Sequence, residues 1–203
     1  TFAADRVAET LIGTYEALLG AGASTEWSDE PPEQSDRVRV IELGMGWCPP
    51  EYGGLSRYFS DLFVALRELP GVEARAVVTG PLDVDEPGVL VGPSAGAPVP
   101  VRLIGLWRTG KRLAADAEVV DAHFALYSLL PFLTWARHHR KIVHFHGPWA
   151  AEHRAAGHRS VVASMKRMVE RAVYRRADAI VTLSRTFADL VVHDYGATPD
   201  GCT

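Results

Sequence analysis

The sequence predicts an α/β fold in which a doubly wound parallel sheet lies between helices, giving three α/β/α layers. Three observations predict it. Short β-branched apolar runs recur along the chain, a segment of helical periodicity follows nearly every run, and the residues just past the runs are rich in Gly, Pro and His. A crossover helix between successive strands is what parallel pairing requires, since a tight turn cannot carry the chain back to pair in the same direction.

The first element is helical. Val7, Leu11, Ile12, Tyr15, Leu18 and Leu19 recur near one face, and Gly20 and Gly22 supply a stop, so residues 1–21 read as an amphipathic helix. Residues 22–36 contain Pro31, Pro32, serines and acidic residues without apolar periodicity, which predicts a linker. The globular body therefore covers 37–203. Its expected strands are Val38 to Leu43, Ala74 to Thr79, Val99 to Ile104, Val119 to Ala122, Ile142 to Phe145 and Ala179 to Leu183. Helices are expected from Gly54 to Leu69, Leu106 to Ala115, Leu126 to His138, Pro148 to Ala177 and Arg185 to Tyr195. The Gly- and Pro-punctuated stretch from Leu82 to Pro98 reads as a loop with room for one short strand.

Composition narrows the function classes. With 203 residues, 47% of them hydrophobic, the chain can bury a substantial core, and 21 basic against 25 acidic side chains leave no global attraction for nucleic acid. Cys48 and Cys202 are too few and too far apart to indicate a disulfide framework or a structural zinc site, and a cytoplasmic setting fits. No apolar run reaches the roughly 18 residues that suggest a spanning helix.

In open α/β sheets ligands bind beyond the carboxyl ends of the strands, and those positions carry the candidate site. After the first strand comes Gly44-Met45-Gly46-Trp47-Cys48-Pro49-Pro50-Glu51-Tyr52-Gly53-Gly54. Pro49 stands where a dinucleotide fingerprint needs its third glycine, and the second strand ends without the acidic residue that would hold a ribose, which excludes NAD binding on this pattern. Gly53 and Gly54 open a helix whose amides can approach an anion, although glycines there also serve as plain turn residues. His146 ends the fifth strand, facing either the crevice or a satisfied place at the sheet edge, and His123 after the fourth strand is a second crevice candidate. His144 shares the face of His146 and is expected deeper. Trp47 and Trp149, each just past a strand, are candidate platforms for a sugar or flat acceptor, with core packing as the alternative.

Two basic clusters stand out. Arg137 to Lys141 reads as the cationic end of a helix. From Arg154 to Arg176, Val161, Met165, Val169, Ala172 and Val173 recur at helical spacing, which predicts a helix packing that stripe on the sheet with a basic outer rim. Contact of that rim with an anionic membrane surface is a minor alternative.

Taken in order, these pieces resemble the amino-terminal lobe of the family 4 GT-B glycosyltransferases. Pro50-Glu51-Tyr52-Gly53-Gly54-Leu55-Ser56-Arg57-Tyr58 resembles the family's glycine loop and first helix, Val119-Val120-Asp121-Ala122-His123 its "D-V-V-H-A-H" strand, and Val143-His144-Phe145-His146-Gly147 its "V-x-T-x-H-G" strand. Glu170 to Ser184 is similar to its long helix and the last strand of the lobe. The resemblance implies a Rossmann-like lobe of a GT-B fold, and a retaining transfer of sugar from a nucleoside diphosphate sugar to an acceptor hydroxyl. It implies His146 as the residue on the transferred sugar, Gly53 and Gly54 near the diphosphate, and Trp47, Tyr52, His123 and Trp149 around the acceptor. No cofactor or metal is implied, because the family neutralises its leaving group with side chains and a helix dipole.

The departures are also informative. The family's donor-binding lobe, with its paired glutamates, has no counterpart before Thr203, so this lobe alone is expected to be inactive and prone to self-association. Thr1 to Leu19 is similar to the family's final helix, which returns to pack on the amino-terminal lobe; its place at the front suggests a rearrangement, or else a plain leader helix. A small molecule or glycan acceptor is the expected partner. A non-catalytic interaction module and a lobe of a GT-B sugar-nucleotide epimerase are the competing readings.

Overall fold

The structure, a computed structural model, describes residues 2–19, 37–49, 53–80, 86–157, 160–198 and 202. The expected linker at 22–36 and the candidate Tyr52 lie outside the described residues. Six strands form one sheet: β1 (Val38–Leu43), β2 (Val72–Gly80), β3 (Val89–Ser94), β4 (Val119–Ala122), β5 (Arg140–Phe145) and β6 (Ala179–Thr182). Their order is β3-β2-β1-β4-β5-β6 and every pairing is parallel, which is a Rossmann-like doubly wound sheet.

Strand alternation divides the core between the two faces. One face buries Val40, Val119, Ile142 and Ala179 beneath α1 (Phe2–Leu19) and α2 (Gly54–Glu68). The other buries Ile41, Leu43, Val120, Val143 and Phe145 beneath α3 (Val99–Leu113), α4 (Ala125–Leu133) and α6 (Ser160–Tyr174). Between and after these lie a 3-10 turn at Trp135–His138, α5 (Trp149–Ala155), α7 (Arg185–Leu190) and a wide π turn at Val191–Tyr195. Ser184 Oγ caps α7 by accepting from Phe187 N.

The leading helix packs along α2, with Ala8, Leu11 and Tyr15 each at most 1% exposed. Isolated helices of this length are marginal in water, so this tertiary burial is what holds α1.

Three expectations about elements are corrected. Val99 to Ile104 is not a strand but the start of α3, and the third strand is β3, the short strand for which the stretch from Leu82 to Pro98 had room. Pro100 explains the reversal: in a first helical turn its missing N–H costs nothing and its fixed φ is already helical. Val99, Val101 and Ile104 then face solvent, while Leu106 is buried. The helix expected from Pro148 to Ala177 is two helices, α5 and α6, separated by a turn at Ala156 and Gly157. Finally, the buried face of α6 is Ala163, Glu170, Val173 and Tyr174, so Val161 and Met165 do not pack on the sheet.

Candidate functional site

Winding reverses between β1 and β4, so α2 and α4 leave toward opposite faces and a crevice opens beyond the carboxyl ends of these strands. Its volume is about 250 Å³, and His123, His144, His146, Gly147, Trp149 and Glu170 are among its walls. Leu55, in the first turn of α2, also reaches it.

Below the crevice lies a buried polar network that strand pairing assembles directly. Glu42 of β1 sits opposite Asp121 of β4, on the face covered by α1 and α2. Asp121 is 0% and Glu42 1% exposed, so two like carboxylates share a site from which water is excluded. Burial, together with the neighbouring Asp121, holds the Glu42 carboxyl well above its usual range. Three groups hydrogen-bond the pair. Tyr15 of α1 donates its hydroxyl to Asp121 Oδ2 at 2.9 Å, His144 Nε2 donates to the same oxygen at 3.2 Å, and His123 Nε2 and Glu42 Oε2 share a hydrogen bond of 2.9 Å. With Nε2 of His144 as donor, its Nδ1 accepts from the Tyr58 hydroxyl at 3.0 Å. A chain of contacts thus runs from α1 through the sheet to α2.

The histidines stack as they rise toward the crevice. His123 and His144 lie 4.0 Å apart at 10°, His144 and His146 6.0 Å apart at 16°, and Tyr58 packs against all three. Phe59 meets His123 edge-on and also occupies the space in front of Gly44, where a Cβ would lie 2.7 Å from its ring. That close approach is why a glycine follows β1. One ligating nitrogen of each histidine lies within 4.8 Å of the others. The near-parallel rings, however, aim their in-plane lone pairs side by side rather than at one point, and both nitrogens of His144 are engaged. Stacking and hydrogen bonding describe this cluster better than coordination.

His146 stands at the mouth. Burial, with the nearby His144, lowers its pKa to about 3, so the imidazole is neutral at physiological pH. Its Nε2 is buried and has no hydrogen-bond partner among the described residues. His123 lies deeper on the floor, 1% exposed, with its pKa pushed well below the ordinary histidine range, chiefly by burial. Gly147 follows His146 with φ +155, and a Cβ there would come within 2.7 Å of Glu152 Oε1.

The remaining candidates separate. Trp149 lines the crevice, held edge-on by Phe124 at 5.1 Å and covered on a face by the Lys166 ammonium at 4.3 Å. It is a half-buried wall rather than a free platform. Trp47 is corrected outright: it is 5% exposed and packs edge-on against Phe59 and Phe63 in the core under α2, away from the crevice walls. Gly53 and Gly54 are exposed at the start of α2, where no side chain caps the helix and a Cβ would meet nothing within 4 Å.

Four residues of the site went unread in the sequence. Glu42, Asp121 and Glu170 are buried carboxylates, and Tyr15 supplies a hydroxyl from the leading helix. A signal existed for two of them: an acidic residue inside an otherwise apolar strand is costly unless partnered. Glu170 accepts from Ala150 N at 3.3 Å and from the Tyr195 hydroxyl at 3.2 Å, fixing the start of α5 and with it Trp149. Burial raises its pKa to about 7.

Comparison with known proteins gives the following. The family model described as Glycosyltransferase Family 4 matches residues 52–203. Sucrose-phosphate synthase from Thermosynechococcus elongatus is similar in structure with a TM-score of 0.60 at 16% identity, over 76% of this chain and 44% of that one. The catalytic domain of starch synthase IV from Arabidopsis thaliana, bound to ADP and acarbose, is similar with a TM-score of 0.51 at 14% identity, over 81% of this chain and 48% of that one. At these identities the likeness is one of fold, and this chain spans less than half the length of either structure. No curated protein matches it.

Proposed function

The chain belongs to glycosyltransferase family 4, and from that premise we propose that it is the acceptor-side lobe of a GT-B enzyme that moves a sugar from a nucleoside diphosphate sugar to an acceptor hydroxyl with retention. The observation that carries this reading is His146: a neutral imidazole at a strand end that lines the crevice and keeps one buried ring nitrogen without a hydrogen-bond partner among the described residues. Such a group offers one preorganised hydrogen bond to a sugar hydroxyl without adding positive charge beside an anomeric carbon that is itself becoming positive. His123 and Trp149 supply further wall for a small-molecule or glycan acceptor. The ADP and acarbose held by the starch synthase domain support the same ligand classes.

The diphosphate belongs near Gly53 and Gly54, where the bare amides at the start of α2 offer donors to an anion. Residues of a second lobe would complete its charge neutralisation, with no metal or cofactor in the reaction. In this reading α1 takes the place of the helix that in GT-B enzymes returns to the amino-terminal lobe, and its Tyr15 reaches the carboxylate beneath the site.

The test is to join this chain to a family 4 donor-binding lobe, select an active donor and acceptor pair, and determine the product anomer by NMR. Retained configuration is expected. An inverted product contradicts the proposed chemistry.

A further inference from the structure

The strongest feature outside the crevice is the outer face of α6. At about 100° per residue, Val161, Met165, Met168 and Ala172 fall in one narrow stripe along the helix. That stripe points away from the sheet: Val161 is 69%, Met165 59% and Met168 64% exposed. Large apolar side chains in a row facing solvent are costly on a soluble domain and mark a contact surface.

Charge identifies what the surface contacts. Arg171 and Arg175 flank the stripe on one side and Arg176 on the other, and these three with Arg167 and Met168 line a shallow groove beside it. Between Arg154 and Arg176 the sequence holds seven basic residues and a single acid, Glu170, on a chain whose net charge is -4. Glu170 is 0% exposed and faces the opposite side of the helix. Arg167 is partly occupied, donating to the Asp194 carbonyl and lying over the Tyr195 ring, whereas Arg171 and Arg175 are exposed. An apolar stripe bordered by arginines, concentrated on one helix of an otherwise acidic molecule, is complementary to a surface that is apolar below and anionic above.

We propose that α6 docks this domain on an anionic lipid bilayer, lying in the headgroup plane with Val161, Met165 and Met168 inserted and Arg171, Arg175 and Arg176 against lipid phosphates. No helix among the described residues is long and apolar enough to cross a membrane, so the contact is one of lying on the bilayer. The inference is independent of the transferase reading, because it uses no residue of the crevice.

Vesicle sedimentation tests it. The purified 203-residue chain is mixed with vesicles of phosphatidylcholine alone or with added phosphatidylglycerol, at low and high salt. Binding to the anionic vesicles, weakened by salt, is expected. Each arginine near an anionic surface is worth about fivefold in partitioning, so Arg171→Glu with Arg175→Glu should lower it more than tenfold. Met165→Glu with Met168→Glu should abolish it. Lys111→Glu with Arg112→Glu, on exposed positions of α3, changes net charge equally and should have a much smaller effect. Circular dichroism melting confirms that each variant is folded. Absence of binding to anionic vesicles, or equal losses from the α6 and α3 variants, overturns the proposal. So does self-association that the Met165 and Met168 variants abolish without any vesicle binding.

Discussion

Burial keeps the His146 imidazole uncharged, and its Nε2, like His123 Nδ1 and Glu170 Oε1, is a buried polar atom of the crevice walls with no hydrogen-bond partner among the described residues. In an active two-lobe assembly, His146→Ala should therefore cost about 2 to 4 kcal/mol in kcat/KM, the usual loss for one preorganised hydrogen-bonding group. An unchanged kcat/KM would return His146 to a structural role. Tyr15 acts at a distance by supporting Asp121. Tyr15→Phe keeps the ring in place but leaves a buried carboxylate one donor short, so it should destabilise the fold by about 1 to 3 kcal/mol in urea unfolding. Glu170 has a sign that can be worked out. Its folded pKa, about 7, lies above the value of an exposed glutamate, so the folded state holds the proton more tightly. Its contribution is full below the ordinary glutamate range and is lost as pH rises toward 7. Stability of Glu170→Gln relative to wild type should increase across that window; a pH-independent difference would contradict the assignment. At this scale the sequence placed His146, His123 and Trp149 just past strand ends, where they line the crevice, because strand ends are recognisable from alternation. Trp47 misled because a loop residue after a strand can turn inward, and only the packing of Phe59 and Phe63 shows that it does.

Elements were legible where one periodicity dominated. β1, β4 and β5 are buried on both faces, so their apolar runs had no helical competitor. Val99 to Ile104 had one, and the Pro100 first-turn signal was outweighed by its β-branched neighbours. In α6 the apolar stripe was visible but its direction was not. Periodicity marks a face without saying what covers it, and here the sheet receives Glu170, Val173 and Tyr174 instead. The leading helix gives the element-scale prediction. Leu11 and Tyr15 are fully buried against the domain, each worth about 1.5 to 3 kcal/mol before the cost of ordering the helix. Deleting residues 1–20, or introducing Leu11→Asp, should lower the thermal midpoint by several degrees and increase binding of a hydrophobic dye. A truncated chain that melts with the intact one would show that α1 contributes nothing to the fold.

At the scale of the whole molecule, the alternation of strands and helices was enough to foresee a doubly wound sheet, and the strand order then puts the crevice between β1 and β4. The depth of the polar network was not foreseeable, because Glu42, Asp121 and Tyr15 meet only through long-range pairing and helix docking. Catalysis in the proposed enzyme needs donor and acceptor held between two lobes, so these 203 residues alone should show no turnover with UDP- or GDP-sugars. Turnover above background in that assay would remove the need for a second lobe. The central claim, that the crevice beyond β1, β4 and β5 receives the reacting sugars, is tested most directly by NMR of the histidine and tryptophan side chains during titration with nucleoside diphosphate sugars and acceptor glycosides. His146 and Trp149 should shift together and saturably, while His139 and Trp135, near the opposite end of β5, stay fixed. Saturable shifts at His139 and Trp135 with none at His146 and Trp149 would contradict the account.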